Sequence, residues 1–154
     1  MCSSDLSKIY ATATPNLKFD SKFIPPMSSV ITSPFGSARV FNGTLKSYHS
    51  GTDFRAATGS VVIASNDGIV VIAKDRYYAG GSVIIDHGEG IYTQYYHLSA
   101  IKVKVGQSVK KGEIIGLSGA SGRVSGPHLH FGVIVHGVQV NPLNFIKKIN
   151  EVLN

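Results

Sequence analysis

The chain predicts a mainly β fold, an antiparallel β-sheet sandwich or half-barrel with a short C-terminal α-helix. Three observations predict it. From Ser28 onward the sequence runs in short stretches rich in Val, Ile, Tyr and Phe, residue types that fit a pleated, half-buried surface. Glycine, at 17 of 154 residues, punctuates those stretches, roughly at the eight-to-twelve-residue spacing of strands joined by tight turns. Beyond Asn141-Pro142, Leu143, Ile146, Ile149 and Leu153 recur at helical spacing.

Taken in order, residues 1–27 show no sustained period and contain Pro15, Pro25 and Pro26, so they read as a linker or loosely docked N-terminal arm. Residues 28–154 form the domain. Its candidate strands are Val61 to Ala64, Gly68 to Ala73, Ser82 to Asp86, Tyr92 to His97, Ile114 to Ser118 and Leu129 to Val135. His87-Gly-Glu-Gly90, Asn66-Asp67-Gly68 and His136-Gly137 are expected as hairpin turns, because Asn, Asp and Gly tolerate the left-handed backbone of tight turns. Asn141 followed by Pro142 is a cap and first-turn pair. The apolar stripe behind it is expected to cover one side of the sheet.

Composition bounds the function. A mass of 16.4 kDa with 43% apolar residues suits one core rather than two. The longest apolar runs, such as G-I-V-V-I-A from Gly68, fall far short of the roughly 20 residues of a membrane helix, so no transmembrane segment is expected. The net charge of +6 favours anionic partners. Nucleic acid is not expected among them, because the lysines are scattered and no reading motif surrounds them. The lone cysteine, Cys2, excludes an internal disulfide. Beside Met1 it fits a cloning junction, the alternative being the first residue of a mature lipoprotein. No secretion signal opens the chain.

The chemistry gathers in three short segments. In S-G-P-H-L-H-F-G-V, His128 and His130 flank Leu129, and in a strand residues two apart share a face about 6.5–7 Å apart. Two imidazoles therefore converge, and either can ligate a cation while the other reaches a water beside it. In Y-H-S-G-T-D-F, His49 and Asp53 share parity, but an extended run spreads them over about 13 Å, so a bend is needed that Gly51 can supply. Two histidines and a carboxylate with an open fourth position form the pattern of catalytic rather than structural zinc. No H-E-x-x-H helix supplies a glutamate base. His97, closing Q-Y-Y-H-L-S, and one member of the paired histidines are the natural replacements. His87 and His136 lie at expected turns and read as ordinary polar residues.

These segments, with S-P-F-G-S-A-R from Ser33, I-I-D-H-G-E-G-I-Y-T-Q-Y-Y-H-L-S from Ile84 and V-G-Q-S-V-K-K-G-E-I-I-G from Val105, occur in the order found in the LytM/lysostaphin-type zinc metallopeptidases of peptidoglycan. The chain resembles that family from roughly Ser33 to Phe145. The resemblance implies the duplicated hybrid motif fold with a metal-binding groove. It further implies Zn2+ held by His49, Asp53 and His130, and His97 and His128 assisting the water or steadying the tetrahedral oxyanion. Tyr95 and Arg39 are implied as substrate contacts, Arg39 equally as a structural residue. The implied function is endopeptidase hydrolysis of peptidoglycan stem peptides or crosslinks in the bacterial cell envelope, periplasmic or extracellular, with a lipid anchor and a regulatory protein partner left open. The competing reading is a non-catalytic module that binds and activates a cell-wall amidase; such modules have eroded ligands, and here all three stand.

Overall fold

The computed structural model describes residues 6, 8–10, 13–41, 43–122 and 126–153, with the side chains of Arg39, Phe41, Leu45 and Lys46 outside that description. Cys2 also lies outside the described residues. The strands, in chain order, are β1 (Ile31–Ser33), β2 (Ala38–Phe41), β3 (Thr44–Tyr48), β4 (Thr52–Arg55), β5 (Val61–Ile63), β6 (Gly68–Arg76), β7 (Gly80–Asp86), β8 (Ile91–Ile101), β9 (Ser108–Val109), β10 (Ile114–Ser118), β11 (His128–Val135) and β12 (Val138–Val140). A helix, Pro142–Val152, follows.

One antiparallel sheet runs β1-β4-β11-β8-β7-β6-β9, with β12 added beside β11 and β10 joining β5 to β8. β2 and β3 form a separate two-stranded ribbon. The six strands read from sequence are all present, Ile114–Ser118 with the expected bounds and the other five lengthened or trimmed at their ends. The short strands β1, β2, β3, β4, β9 and β12 carry no comparable apolar run; β1, β4 and β9 pair with strands distant in sequence, whereas β2 with β3 and β12 with β11 pair across short turns.

The middle of the sheet is covered on both faces. Val83, Ile85, Tyr95, Leu129, Phe131 and Val133 bury one face against Phe19, Phe23 and the C-terminal helix. Ile72, Ile84, Tyr92 and Ile134 bury the other against Leu6, Ile9 and Tyr10. Every residue of β7 is consequently buried, which is why that strand reads as a continuous run instead of an alternation. Residues 13–27 put Phe19 and Phe23 at 6% and 2% exposure, while the Phe23 backbone is bonded on both sides by the Asn150 amide.

The turns follow their chemistry at two of three places. His136 and Gly137 take φ of 48° and 79° between paired β11 and β12, and Gly88 and Gly90 take φ of 90° and 79° between paired β7 and β8. Asn66-Asp67-Gly68, expected as a hairpin, is a bend between strands that do not pair. β5 goes to β10 and β6 to β7 and β9, so this bend carries the chain from one part of the sheet to another. Asn66 steadies it by accepting from the Asp67 amide and donating to the Ser21 carbonyl. In the helix, Asn141 caps by accepting from the Asn144 amide. The buried stripe is Pro142, Ile146 and their neighbours Phe145, Ile149 and Leu153; Leu143, expected on it, is instead 36% exposed.

A directed hydrogen-bond chain crosses the larger core. The Ser65 amide donates to the Tyr95 hydroxyl at 3.0 Å, which lies 2.7 Å from the Thr93 hydroxyl, itself 2.8 Å from His87 Nε2. His87 Nδ1 lies 2.7 Å from the Asp67 carbonyl, which can only accept, so the ring proton sits on Nδ1 and Nε2 accepts from Thr93. His87, fully buried, is thus satisfied at both nitrogens as neutral imidazole. Burial lowers its pKa from 6.5 to about 4, although the Asp67 carbonyl and nearby carboxylates oppose this.

The folded state therefore resists a proton that the unfolded chain accepts. Stability is fully present above pH 6.5 and is lost as pH falls to about 4, a difference on the order of 3 kcal/mol. Urea denaturation at several pH values checks this: His87→Gln should be less stable than wild type at pH 7.5 and lose less on acidification, and equal slopes for the two proteins would contradict the assignment.

Candidate metal centre and groove

The central strand of the site is β11, because its register selects what each histidine meets. Asp53 of β4 stands directly opposite His130 on one side, and Tyr96 of β8 stands opposite it on the other. Directly opposed residues of antiparallel strands share a face, their Cβ atoms about 4.5–5.5 Å apart, so these side chains form a row across three strands. Leu129 and Phe131, the neighbours of His130, point the other way and are fully buried. His130 Nδ1 lies 3.0 Å from Asp53 Oδ1, and its ring stacks on Tyr96 with centroids 5.4 Å apart and planes within 12°.

His49 arrives just after β3, anchored by its amide donating to the Ser37 carbonyl at 2.9 Å and its carbonyl accepting from the Gly36 amide at 2.8 Å. Its Nδ1 donates to the Pro34 carbonyl at 3.2 Å, which leaves Nε2 with a lone pair. That nitrogen sits 3.1 Å from Asp53 Oδ1 and 3.2 Å from His130 Nδ1. The three donor atoms thus form a triangle with edges of 3.0–3.2 Å. Neighbouring ligands of a tetrahedral ion bonded at 2.0–2.1 Å stand roughly 3.3 Å apart, so the donor set fits a small cation such as zinc. All three residues are buried. Burial pushes the Asp53 carboxyl up, but hydrogen bonds and charge from His130 and His49 together outweigh it and hold the group well below the usual range. The carboxylate is therefore ionised and available.

His97 and His128 border this triangle. His128 Nδ1 donates to the Gly126 carbonyl at 3.0 Å, and its Nε2 lies 3.8 Å from Asp53 Oδ2. His97 Nδ1 donates to the Ser121 carbonyl at 2.8 Å. The two rings are 4.8 Å apart between centroids, and the His97 ring is 6.1 Å from that of His130. Main-chain acceptors therefore fix Nδ1–H in both, leaving each Nε2 as the basic atom. Burial lowers the pKa of His97 to about 4, with help from the neighbouring histidines, and burial likewise lowers that of His130.

The structure brings together all five residues expected to carry the chemistry and corrects the tyrosine. Tyr95 does not face the site. It is fully buried in the hydrogen-bond chain to His87, opposite Phe131 on the core face. Simple alternation would send His97 inward too. Instead the β7–β8 register slips between Gly81↔Leu98 and Val83↔Tyr95, and His97 takes φ of 66°, so Tyr96 and His97 both face outward. Arg39 lies in β2, but its side chain is outside the described residues. Gly51 is needed for room as well as for a bend: a Cβ there would meet His130 Nε2 and the Phe131 carbonyl at 2.6 Å.

His49, His97 and His130 line a groove of about 730 Å³, within the size range of ligand clefts. Its walls carry Tyr48, Tyr77 and Tyr78, which are 63–69% exposed, together with Arg76 and Tyr96. Sequence reasoning missed these five. The Tyr77-Tyr78 doublet before a glycine pair was a legible sign of exposed aromatics at a hairpin tip; Tyr96 and Arg76 needed the register.

The sequence profile of Peptidase family M23 matches residues 47–142. The peptidoglycan DD-endopeptidase ShyA of Vibrio cholerae is 52% identical over 95 residues, which are 62% of this chain and 22% of ShyA. The chain thus spans about a fifth of that relative's length. Among solved structures, a zinc containing peptidase from Vibrio cholerae superposes with a TM-score of 0.71 and 38% identity over 82% of this chain and 39% of that one. The catalytic domain of the antimicrobial peptidase lysostaphin from Staphylococcus simulans gives a TM-score of 0.67 and 32% identity over 77% of this chain and 92% of that one. The profile match takes in His49, Asp53, His97, His128 and His130 and covers more than half of the residues, and the chain belongs to Peptidase family M23.

Proposed function

We propose that this chain is a zinc-dependent endopeptidase that hydrolyses peptide bonds in peptidoglycan stem peptides or their crosslinks, in the bacterial cell envelope. The observation that carries the reading is the convergence of His49 Nε2, Asp53 Oδ1 and His130 Nδ1 within hydrogen-bond distance of one another, bordered by two more histidines with free Nε2 atoms. Zinc supplies a Lewis acid there and lowers the pKa of water to about 7. The similarity to ShyA supports peptidoglycan as substrate, and the zinc containing peptidase supports the ion.

The roles of the side chains follow from their bonds. His49, Asp53 and His130 are the proposed ligands. The Pro34 carbonyl holds His49 in the tautomer that offers Nε2 inward. His97 and His128 each present a lone pair, the form that accepts a proton from the attacking water. Once protonated, the same ring becomes an N–H donor to the oxyanion or the leaving amine. Charge developing on His128 is met by Asp53 Oδ2. An extended peptide lies along the groove between Tyr48 and the Tyr77-Tyr78 pair, whose faces exclude water and hold the chain in place.

Three measurements check this reading. Elemental analysis of metal-replete protein should find one zinc per chain, lost in His130→Ala together with cleavage of purified sacculi; a variant that retains full cleavage would show the reading to be wrong. His97→Ala should keep its zinc and lower kcat/KM by about 10²- to 10⁴-fold. The pH profile should fall on acidification, because the protonated imidazole cannot accept a proton. With His97 lowered to about 4, the neutral base persists below pH 6.5, so the acid limb should have its midpoint under 6.5; a midpoint above that value contradicts the role of His97.

A further inference from the structure

Ser121 stands in the irregular stretch between β10 and β11, beside the point where β7 and β8 fall out of register. Gly81 and Leu98 form the last pair before the slip and Val83 and Tyr95 the first after it, so β8 carries one residue more than β7 across the gap. The Ser121 hydroxyl joins the two members of the first pair. It accepts from the Gly81 amide at 2.9 Å and donates to the Leu98 carbonyl at 2.7 Å. The carbonyl of the same residue accepts Nδ1–H of His97 at 2.8 Å. Its side chain thus closes the strands beside the bulge, and its main chain holds the ring that the bulge turns outward.

The stretch lies directly on the start of β7. A Cβ on Gly80 would meet the Ser121 carbonyl and hydroxyl at 2.4 Å, and one on Gly122 would meet the Gly80 amide nitrogen and the Tyr78 carbonyl oxygen at 2.5 Å. Among the described residues of this stretch, the ladder contact is one isolated bridge, Gly119 with His128. That bridge stands two residues before Ser121 and leaves its carbonyl to be placed by the hydroxyl. A hydroxyl that accepts from one main-chain group and donates to another has both directions fixed. The carbonyl of the same residue is then held against β7 and β8 together, at the distance the His97 ring requires.

We propose that Ser121 is a positioning residue for His97: its hydroxyl, clamped between Gly81 and Leu98, fixes the carbonyl that keeps the ring proton on Nδ1 and leaves Nε2 bare toward the attacking water. This rests on the peptidase reading above. The rival role is that of a loop anchor, which steadies the fold and has no effect on the ring. An anchor changes stability alone. A positioning residue also decides which ring nitrogen carries the proton. It does so with zinc and peptide binding intact, because Ser121 is outside the groove lining and its bonds go to β7, β8 and His97.

The test compares zinc-loaded full chains of wild type, Ser121→Ala and Ser121→Thr. Long-range proton–nitrogen NMR of the imidazole rings reads the tautomer, the His97 signals being those absent in His97→Ala. Wild type should show a protonated Nδ1 and a bare Nε2. Ser121→Ala should show averaged shifts at both nitrogens, and Ser121→Thr, which keeps the hydroxyl, should return the wild-type pattern. On soluble crosslinked peptidoglycan peptides, Ser121→Ala should lower kcat by about 10- to 100-fold, the scale of a reacting group misplaced by up to about 1 Å. KM and zinc content should not change, and Ser121→Thr should recover the rate. Thermal melts confirm that each variant folds; Ser121→Cys, with a weak donor and acceptor in nearly the same volume, takes the place of Ser121→Ala if that variant melts below the assay temperature. The clamp is overturned if the folded variant keeps the wild-type tautomer or the wild-type kcat, loses zinc or changes KM alone, or if folded Ser121→Thr behaves like Ser121→Ala. A wild type that cleaves neither peptides nor sacculi, with a tautomer that still depends on the hydroxyl, leaves the clamp on His97 standing and removes the peptidase reading.

Discussion

The site depends on one constraint, the antiparallel register that sets Asp53, His130 and Tyr96 in a row across β4, β11 and β8. A slip of one residue on β11 would turn every side chain to the opposite face. Leu129 and Phe131 would then take the place of His130, and three imidazoles and a carboxylate would lose their common meeting point. The register is held by the face that the chemistry does not use. Leu129, Phe131 and Val133 interlock with Phe54 and Tyr95 in the larger core, and each such side chain contributes about 1.5–3 kcal/mol by leaving water. The apolar face therefore fixes the polar one.

Main-chain carbonyls complete what the register begins. Pro34, Ser121 and Gly126 each take the Nδ1 proton of one histidine. A carbonyl does not titrate and cannot donate, so it imposes one tautomer on the neutral ring, and it raises the imidazole pKa without the added pull of a carboxylate's charge. Asp53 is the exception that shows the logic. It faces His49, His130 and His128 together, and its negative charge opposes the burial that lowers the pKa of His130. The irregular segments that donate the carbonyls stand next to Gly36, Gly122 and Gly126 in sequence; Gly36 and Gly122 have positive φ, and Gly122 lies so close to the Tyr78 carbonyl and the Gly80 amide that a Cβ would meet them at 2.5 Å.

Much of this was legible beforehand. The H-L-H pair implied convergence because strand parity is a local property, and the H-S-G-T-D spacing implied a second pair for the same reason. The six strands read from sequence and the capped helix carry their signals within a few residues. What stayed hidden is what depends on partners distant in the chain. Leu143 and Ile146 look equivalent on a helical wheel, and only the placement of the helix against β11 makes one exposed and the other buried. Asn66-Asp67-Gly68 has hairpin chemistry, but whether β5 and β6 pair is decided by β10 and β7 competing for their edges. The residues by themselves left His128 and His130 open as the ligand and the resemblance implied His130; it is His130 that the register sets opposite Asp53.

The exchange of Tyr95 for Tyr96 is the most informative of these differences, because one irregularity explains it and ties the two faces of the sheet together. Up to Tyr96 strand β8 alternates regularly, sending Thr93 and Tyr95 into the hydrogen-bond chain that ends on His87 and Tyr96 outward onto His130. At His97 the strand bulges. The amide of His97 donates to the Ala79 carbonyl at 2.8 Å, and the left-handed φ reverses the expected direction of its side chain. A non-glycine residue in that region costs of order 1–3 kcal/mol and persists only where its surroundings over-determine it. Here they do: Leu98 is buried on the far side of the bulge, Tyr95 is pinned by Ser65 and Thr93 on the near side, and Ser121 accepts from the ring. The buried polar chain around Tyr95 is thus part of what aims His97. A tyrosine outside the groove lining helps to decide where a histidine in the groove points, through two residues of backbone.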